Sequence, residues 1–193
     1  MDNPYLHVIK DFLTPEECGV LSGWILDRGN APHFKNPNMG EKRITTRFTY
    51  GTDLVFPPLA YEIRKRIAER LHFTDFKQPG FKDGMVASHA KAPDSCCLHK
   101  DPVWYDGHRT FHCNVIVAEP EAGGNLLIEG TVYKMNRGDL VCYPVSDFEH
   151  GTDAISGLPR RLLWIFGFCL KNDAFGLTPE DFSNGNWKNK FGR

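Results

Sequence analysis

The run Phe-His-Cys-Asn-Val-Ile-Val at residues 111–117 alternates between two sets of side chains. The odd-numbered residues are apolar, and His112, Asn114 and Ile116 stand between them. A period of two is typical of a β-strand whose sheet has one buried face. We therefore expect this run to belong to a half-buried sheet.

Short β-like runs of the same kind fill the chain after Gly84, separated by Gly, Pro and Asp. They predict strands near 85–91, 109–118, 125–128, 131–135, 139–143 and 160–169. Many short strands between turn residues indicate a sandwich or a barrel. The sequence therefore predicts an all-β core over about residues 84–170.

The chain before this core predicts a strand and two helices. Residues 5–12 carry β-formers and end at Thr14, an N-cap residue followed by a first-turn proline and by Glu17 three positions on. This first helix is expected to reach about residue 26. Apolar residues recurring every four positions predict a second, amphipathic helix over about 59–71. The two helices form a predicted buttress, about residues 12–72, packed against the β core.

Length and charge narrow the classes of function. A chain of 193 residues favours a single domain. The 23 Lys and Arg residues nearly balance the 24 Asp and Glu residues, so no net field attracts nucleic acid or an anionic membrane, and neither is an expected partner. The amino terminus lacks the layout of a secretion signal, and no apolar run reaches the ~20 residues of a membrane span, so a cytoplasmic protein is expected. The six cysteines contain no CxxC pair and predict reduced thiols.

His99 and Asp101 stand two residues apart, so an extended strand puts both side chains on one face. His150, which follows a predicted strand and turn, offers a second imidazole. Two histidines and one carboxylate on a triangular face suit Fe(II) when the open positions must hold a chelating cosubstrate and O₂. Because a His-x-Asp triplet alone is a weak signal, the residues after His150 carry weight.

Arg160 and Arg161 open an apolar run ten residues after His150. A cation at the mouth of an apolar pocket is costly unless an anion pairs with it. The distal carboxylate of 2-oxoglutarate is such an anion, and a guanidinium can hold it with two hydrogen bonds.

These segments together resemble the Fe(II)/2-oxoglutarate-dependent oxygenases, and within them the prolyl-4-hydroxylase-like branch. The resemblance spans roughly residues 5–169. Its carriers, in chain order, are the opening strand and helix at 6–18, the Gly-Gly turn at 119–126, the Gly-Asp and aromatic strand at 136–144, His150-Gly151 and Arg160. The family's fold is a double-stranded β-helix, or jelly roll, so the resemblance implies a mainly β protein with flanking helices.

The resemblance also implies roles for single residues. His99, Asp101 and His150 would bind the iron. Arg160 would bind the C5 carboxylate of 2-oxoglutarate, with Arg161 as the alternative, because period-two alternation turns only one of the pair inward and spacing from His150 favours Arg160.

One further position departs from the family pattern. His89 stands ten residues before His99, where the family often has a tyrosine that contacts the cosubstrate. His89 is therefore a third candidate contact to 2-oxoglutarate.

The implied activity is hydroxylation of an unactivated C–H bond, with release of succinate and CO₂. The implied cofactors are Fe(II) and 2-oxoglutarate, with ascorbate as a further candidate, and the substrate is a small molecule, such as an amino acid or natural-product intermediate, or a peptidyl residue. The carboxylate of Asp101 favours hydroxylation, because halogenating relatives have a small residue there. Two alternatives stay open: a cupin-like metal-dependent hydrolase or isomerase, which leaves Arg160 unexplained, and an inactive barrel that only binds.

Several residues near this motif have two interpretations. Trp104 and Tyr105 either line the substrate entrance or pack in the core. His108 and His112 either contact substrate or are ordinary histidines of a strand. Residues 29–47 are predicted to form a mobile loop, and the tail from 172 to 193 is either disordered or folded over the barrel mouth.

Overall fold

The computed structural model describes residues 5–28, 34–35, 47–49, 55–158 and 160–172. Within these stretches the chain forms two α-helices and eleven β-strands. The helices are α1 (Pro15–Arg28) and α2 (Pro58–Arg70). The strands are β1 (His7–Ile9), β2 (Phe34–Lys35), β3 (Arg47–Thr49), β4 (Met85–Ala90), β5 (Cys96–His99), β6 (His108–Ala118), β7 (Leu126–Ile128), β8 (Thr131–Tyr133), β9 (Leu140–Pro144), β10 (His150–Thr152) and β11 (Arg161–Lys171).

The strands form two antiparallel sheets. The larger sheet has the order β1-β9-β6-β11-β4-β3-β2, and the smaller has the order β5-β10-β7-β8. Side chains from both sheets line one cavity, so the sheets enclose it between them. This is the jelly-roll core, and the predicted fold class is confirmed.

Strand β6 of the larger sheet is covered on both faces, although its alternating sequence predicts only one buried face. Its odd-numbered residues, including Cys113 and Val115, are almost fully buried in the hydrophobic core. His112, Asn114 and Ile116 line the cavity on the opposite face. The expectation of one buried face is therefore corrected, because a cavity covers the second face.

Helix α1 begins with the capping box that the sequence predicts. The backbone N–H of Glu17 donates to Thr14 Oγ1 at 3.2 Å, and the N–H of Thr14 donates to the Glu17 carboxylate at 2.9 Å. The Glu17 carboxylate also accepts two hydrogen bonds from Arg66 of α2, at 2.9 and 3.1 Å. Trp24 of α1 packs 5.3 Å from Trp164 of β11, ring centre to ring centre. The helical buttress thus lies on the larger sheet.

Most predicted elements are confirmed, and four strands were not predicted. The six predicted strands after Gly84 match β4, β6, β7, β8, β9 and β11 to within two residues at each end. The four additional strands are β2, β3, β5 and β10, which have two to four residues each.

The prediction of a loop over residues 29–47 was wrong at Phe34–Lys35 and at Arg47. These residues pair in the larger sheet as β2 and the start of β3. Residues 29–33 and 36–46, like the tail from 173 to 193, lie outside the described residues. Neither described helix is long and apolar enough to cross a membrane.

Candidate active site

Three side chains converge at one end of the smaller sheet. His99 ends β5, His150 begins β10, and the antiparallel register places the two residues directly opposite each other. Their ring centres lie 4.4 Å apart. Asp101 follows β5, and its carboxylate completes a group whose three candidate ligand atoms all lie within 4.8 Å of one another. Strand pairing therefore builds the triangular face expected from the sequence.

Backbone carbonyls orient both imidazoles. The Nδ1 atom of His99 lies 2.9 Å from the carbonyl oxygen of Cys97, and Nδ1 of His150 lies 3.0 Å from that of Phe148. Because a carbonyl can only accept, each Nδ1 carries the proton. Each Nε2 therefore faces the shared centre, as in metal sites where the outer ring nitrogen is held by a carbonyl.

The contact between His99 and Asp101 shifts the pKa values of both groups. The hydrogen bond to Asp101, 3.3 Å from His99 Nε2, and a contact with Cys96 raise the pKa of His99 to about 10. Burial alone would raise the pKa of Asp101, but the hydrogen bond from His99 and the neighbouring imidazoles bring it below its usual value. A divalent cation would replace the shared proton and satisfy the same lone pairs.

A cavity of about 860 Å³ opens beside the triad. Its lining comes mainly from the larger sheet and from residues 78–83. We define its mouth by the exposed lining residues Gln78, Gly80, Trp104 and Tyr105. The lining includes His99, Asp101, His112, Asn114, Ile116, Gly124, Leu126, Met135, Tyr143, His150, Thr152, Arg161, Leu163 and Ile165. The volume lies within the range of ordinary ligand pockets.

The two adjacent arginines differ in position. Arg161 lines the cavity, is only 5% exposed, and donates from Nη1 to the carbonyl oxygen of Gly124 at 3.0 Å. Arg160 is not among the lining residues, and its Nη1 lies 3.0 Å from Nε2 of His89. His89 is also absent from the lining. Of the three residues predicted to contact the cosubstrate, the structure brings Arg161 to the triad's cavity and places Arg160 and His89 outside it.

The aromatic residues after Asp101 form one side of the cavity mouth. Trp104 lies against Gly80, so closely that a Cβ atom at residue 80 would overlap the indole. Its ring stands edge-on to Phe81, with centroids 6.4 Å apart. The hydroxyl of Tyr105 donates to the carbonyl oxygen of Gln78 at 2.9 Å. Both side chains are thus held in place at the entrance, although Trp104 is 44% exposed.

No protein-family model and no curated protein matches this chain. Solved structures do match. A viral collagen prolyl hydroxylase of Paramecium bursaria Chlorella virus 1, in a 2-oxoglutarate complex, is 18% identical and covers 88% of this chain and 98% of its own, with a TM-score of 0.65. This chain has the fold of the 2OG-Fe(II) oxygenases.

Two further solved structures share this oxygenase fold. A Trichoplax adhaerens prolyl hydroxylase, bound to a peptide of hypoxia-inducible factor, is 14% identical over 87% of this chain and 84% of its own, with a TM-score of 0.64. HygX of Streptomyces hygroscopicus, with nickel and 2-oxoglutarate bound, is 13% identical over 91% of this chain and 85% of its own, also at 0.64. At such identities the likeness establishes the fold alone.

Two polar residues of the oxygenase-fold cavity were not predicted from the sequence. Asn114 of β6 and Tyr143 of β9 both line the cavity, and Asn114 Nδ2 donates to the Tyr143 hydroxyl at 3.3 Å. The period of two in residues 111–117 places Asn114 on the face of His112 and gives a signal for it. Tyr143 has no such signal, because every residue of β9 is buried.

Two histidines of β6 that had two interpretations also separate. His112 lines the cavity beside Asp101. His108 does not line it, and its Nδ1 lies 2.9 Å from the carbonyl oxygen of Asp106.

Proposed function

We propose that this protein is an Fe(II)- and 2-oxoglutarate-dependent dioxygenase that hydroxylates a small molecule or a peptidyl residue. The observation that carries the proposal is the convergence of His99, Asp101 and His150 in a cavity that also contains the buried cation of Arg161. A hydrolase or isomerase on a similar barrel would use the triad but would leave a buried guanidinium in its cavity unexplained.

The chemistry of the three donors supports iron. Two neutral imidazole nitrogens and one carboxylate oxygen form the facial triad that binds non-haem Fe(II) and leaves positions open for other ligands. Because both Nδ1 atoms are held by carbonyls, the imidazoles need no rearrangement to present Nε2 to an ion. When bound, Fe(II) with 2-oxoglutarate and O₂ supplies the oxidising power for hydroxylation of a C–H bond, with succinate and CO₂ as products. Ascorbate remains a candidate reductant.

We assign Arg161, not Arg160, to the distal carboxylate of 2-oxoglutarate. A buried guanidinium is stabilised by an anion that it can hold with two hydrogen bonds. Tyr143 lines the same cavity, and its hydroxyl oxygen accepts from Asn114, which places a polar group near a carboxylate bound at this wall. Arg160 contacts His89 outside the cavity and would not contact the cosubstrate.

The residues at the mouth of the cavity indicate what kind of substrate it would admit. The solved prolyl hydroxylase from Trichoplax adhaerens binds a peptide, and HygX has been solved with hygromycin B, so both kinds of ligand occur on this fold. Trp104 and Tyr105 give this cavity an apolar, aromatic entrance. We propose that the substrate presents an apolar face to them while its reacting carbon enters toward the triad.

The test is an anaerobic titration of the protein with Fe(II), with and without 2-oxoglutarate. We expect tight binding of about one Fe(II) per chain and a weak visible charge-transfer band that forms only when both are present. The His99→Ala variant serves as the control and should lose the band.

Admission of O₂ then separates the alternatives. Succinate formation, stimulated by members of a library of amino acids, peptides and natural products, is the expected result. A wild-type protein that forms no charge-transfer band and no succinate contradicts the proposal and favours the hydrolase, isomerase or binding barrel.

A further inference from the structure

A third histidine, His112, lies next to the Asp101 carboxylate. Nδ1 of His112, in the middle of β6, lies 3.5 Å from Oδ2 of Asp101. The other carboxylate oxygen, Oδ1, lies 3.3 Å from Nε2 of His99. The two oxygens of Asp101 are thus flanked by two different imidazoles, one from each sheet.

Whatever its charge, the ring of His112 presents a proton to Asp101. An ionised carboxylate only accepts hydrogen bonds, so it favours the neutral tautomer with hydrogen on Nδ1, and an imidazolium carries hydrogen there as well. In both states the Nδ1–H of His112 therefore lies next to the Asp101 carboxylate, with Nδ1 3.5 Å from Oδ2. Among the described residues, its Nε2 is buried and has no hydrogen-bond partner, so the polar function of this side chain is directed through Nδ1.

Packing holds the His112 ring in this orientation. Its register partners are Gly167 of β11 and Tyr143 of β9, and the ring stands edge-on to Phe81 at 5.8 Å. A side chain at Gly167 would overlap Pro79 and come within 2.7 Å of Phe81, so Gly167 makes room for the ring that covers His112. The side chain is only 13% exposed. Such a ring can fix the direction of a neighbouring carboxylate.

An iron ion bound by the triad would not displace Nδ1 of His112 from the Asp101 carboxylate. A cation bound by the triad would replace the proton between His99 and Asp101, and both Nε2 atoms of the triad would then face the ion. The N–H of His112 would still point at the carboxylate. An apolar side chain of similar size would pack here without leaving a ring nitrogen unsatisfied, so the imidazole has a polar purpose.

We infer that His112 is a positioning residue, which orients the Asp101 carboxylate for the metal through its Nδ1–H donor. The inference rests on the proposed function and deepens it, since it concerns the same iron site. Hydrogen-bond partners of metal ligands typically change metal affinity about 10–100-fold when they are removed. We therefore expect His112 to act on iron affinity without binding the iron.

Three substitutions at residue 112 separate this role from packing. His112→Asn keeps an N–H donor at the position of Nδ1, because both nitrogens are attached to Cγ. His112→Gln moves the donor one atom outward, toward the position of Nε2. His112→Leu removes donors altogether. All three variants and the wild type are titrated anaerobically with Fe(II) alone, and their unfolding temperatures are recorded.

The expected result is a graded loss of Fe(II) affinity. His112→Leu and His112→Gln should bind Fe(II) about 10–100-fold more weakly, and His112→Asn should stay within about threefold of the wild type. Equal affinities in all four proteins would overturn the inference, as would equal weakening of the Asn and Gln variants. If the Leu variant does not fold, the comparison of Asn with Gln still decides.

The outcomes for the two proposals are distinct. A wild type that fails to bind Fe(II) removes the proposed function and the positioning role with it. A wild type that binds Fe(II) and forms the charge-transfer band with 2-oxoglutarate, beside an unaffected His112→Gln variant, leaves the proposed function intact and removes only the role of His112.

Discussion

Arg161 is a charged residue at a buried position. The residue is 5% exposed, and its Nη1 donates to the carbonyl oxygen of Gly124. Moving a cation out of water costs several kcal/mol unless an anion or a polar network offsets the cost. The carboxylate of a bound ligand would add an anion at this wall of the cavity.

We predict that Arg161→Ala raises the 2-oxoglutarate concentration needed for half-maximal charge-transfer absorbance by about 10–100-fold. The estimate follows from about 1.5–3 kcal/mol for a hydrogen bond to a charged group, at 1.4 kcal/mol per tenfold change. Arg161→Lys should lie between, because an ammonium keeps the charge but not the planar pair of donors.

Arg160→Ala is the matched control for this prediction. It removes the adjacent guanidinium, which lies outside the cavity beside His89, and should leave the half-saturation point within about twofold of the wild type. A large effect of Arg160→Ala together with a small effect of Arg161→Ala would reverse the assignment.

At the scale of elements, Asp139 ties the first strand to the core. Its buried carboxylate accepts from Lys10 Nζ at 2.7 Å, from the backbone N–H of Asp11 at 3.1 Å and from that of Asn136 at 2.9 Å. These bonds fasten the turn before β9 to the end of β1, which pairs with β9. Burial alone would raise the pKa of Asp139, but these donors together bring it below its usual value.

We predict that Asp139→Asn lowers the free energy of unfolding by about 1–3 kcal/mol, because an amide NH₂ would replace an oxygen that faces N–H donors. Lys10→Met, which removes only a half-exposed ion pair, should cost less than about 1 kcal/mol. Because the pKa of Asp139 is lowered in the folded state, the stabilisation by its carboxylate is fully present above the ordinary aspartate pKa. It is lost as the pH falls through the folded-state pKa. Urea unfolding of both variants at neutral and acidic pH measures it. Equal, small losses would contradict the prediction.

Strand length and burial determine how much of the site the sequence predicts. His99 and Asp101 are two residues apart, so any extended backbone turns them to one face, and His150 follows a recognisable strand and turn. The strands that carry the histidines, β5 and β10, have four and three residues, which is too short to show a period.

Which of Arg160 and Arg161 faces the cavity depends on whether the even-numbered or the odd-numbered residues of β11 point inward. The sequence of β11 does not show this. Nearly every residue from Arg161 to Leu170 is buried on one face or the other, so no polar alternation marks the inward positions. An error of one residue in the strand start then exchanges the two faces. The same ambiguity applies to His89, since β4 is buried along almost its whole length.

At the scale of the molecule, the proposed ligands would join the two sheets. The imidazoles of the triad belong to the smaller sheet, whereas Arg161, Tyr143, Asn114 and His112 belong to the larger one. A metal held on one side, with a cosubstrate reaching the guanidinium on the other, would bridge the cavity. Ligands that bind only the folded state stabilise it by mass action.

We predict that Fe(II) with 2-oxoglutarate, each at about 100 times its dissociation constant, raises the unfolding temperature by roughly 10–20 °C. The cosubstrate alone should give a much smaller shift, because the chelating ion would be missing. Anaerobic thermal denaturation of the wild type and of His99→Ala measures the effect. An equal shift in both proteins would show that the ligands bind elsewhere.

The contact between Trp104 and Gly80 has a consequence for how the entrance of this cavity can change during evolution. A single methyl group at residue 80 would push the indole away and reshape the doorway, while the triad and the guanidinium stay where they are. Substitution of this one glycine can therefore change which molecules enter the cavity. The proposed metal site and Arg161, which lie on other segments, would be inherited unchanged.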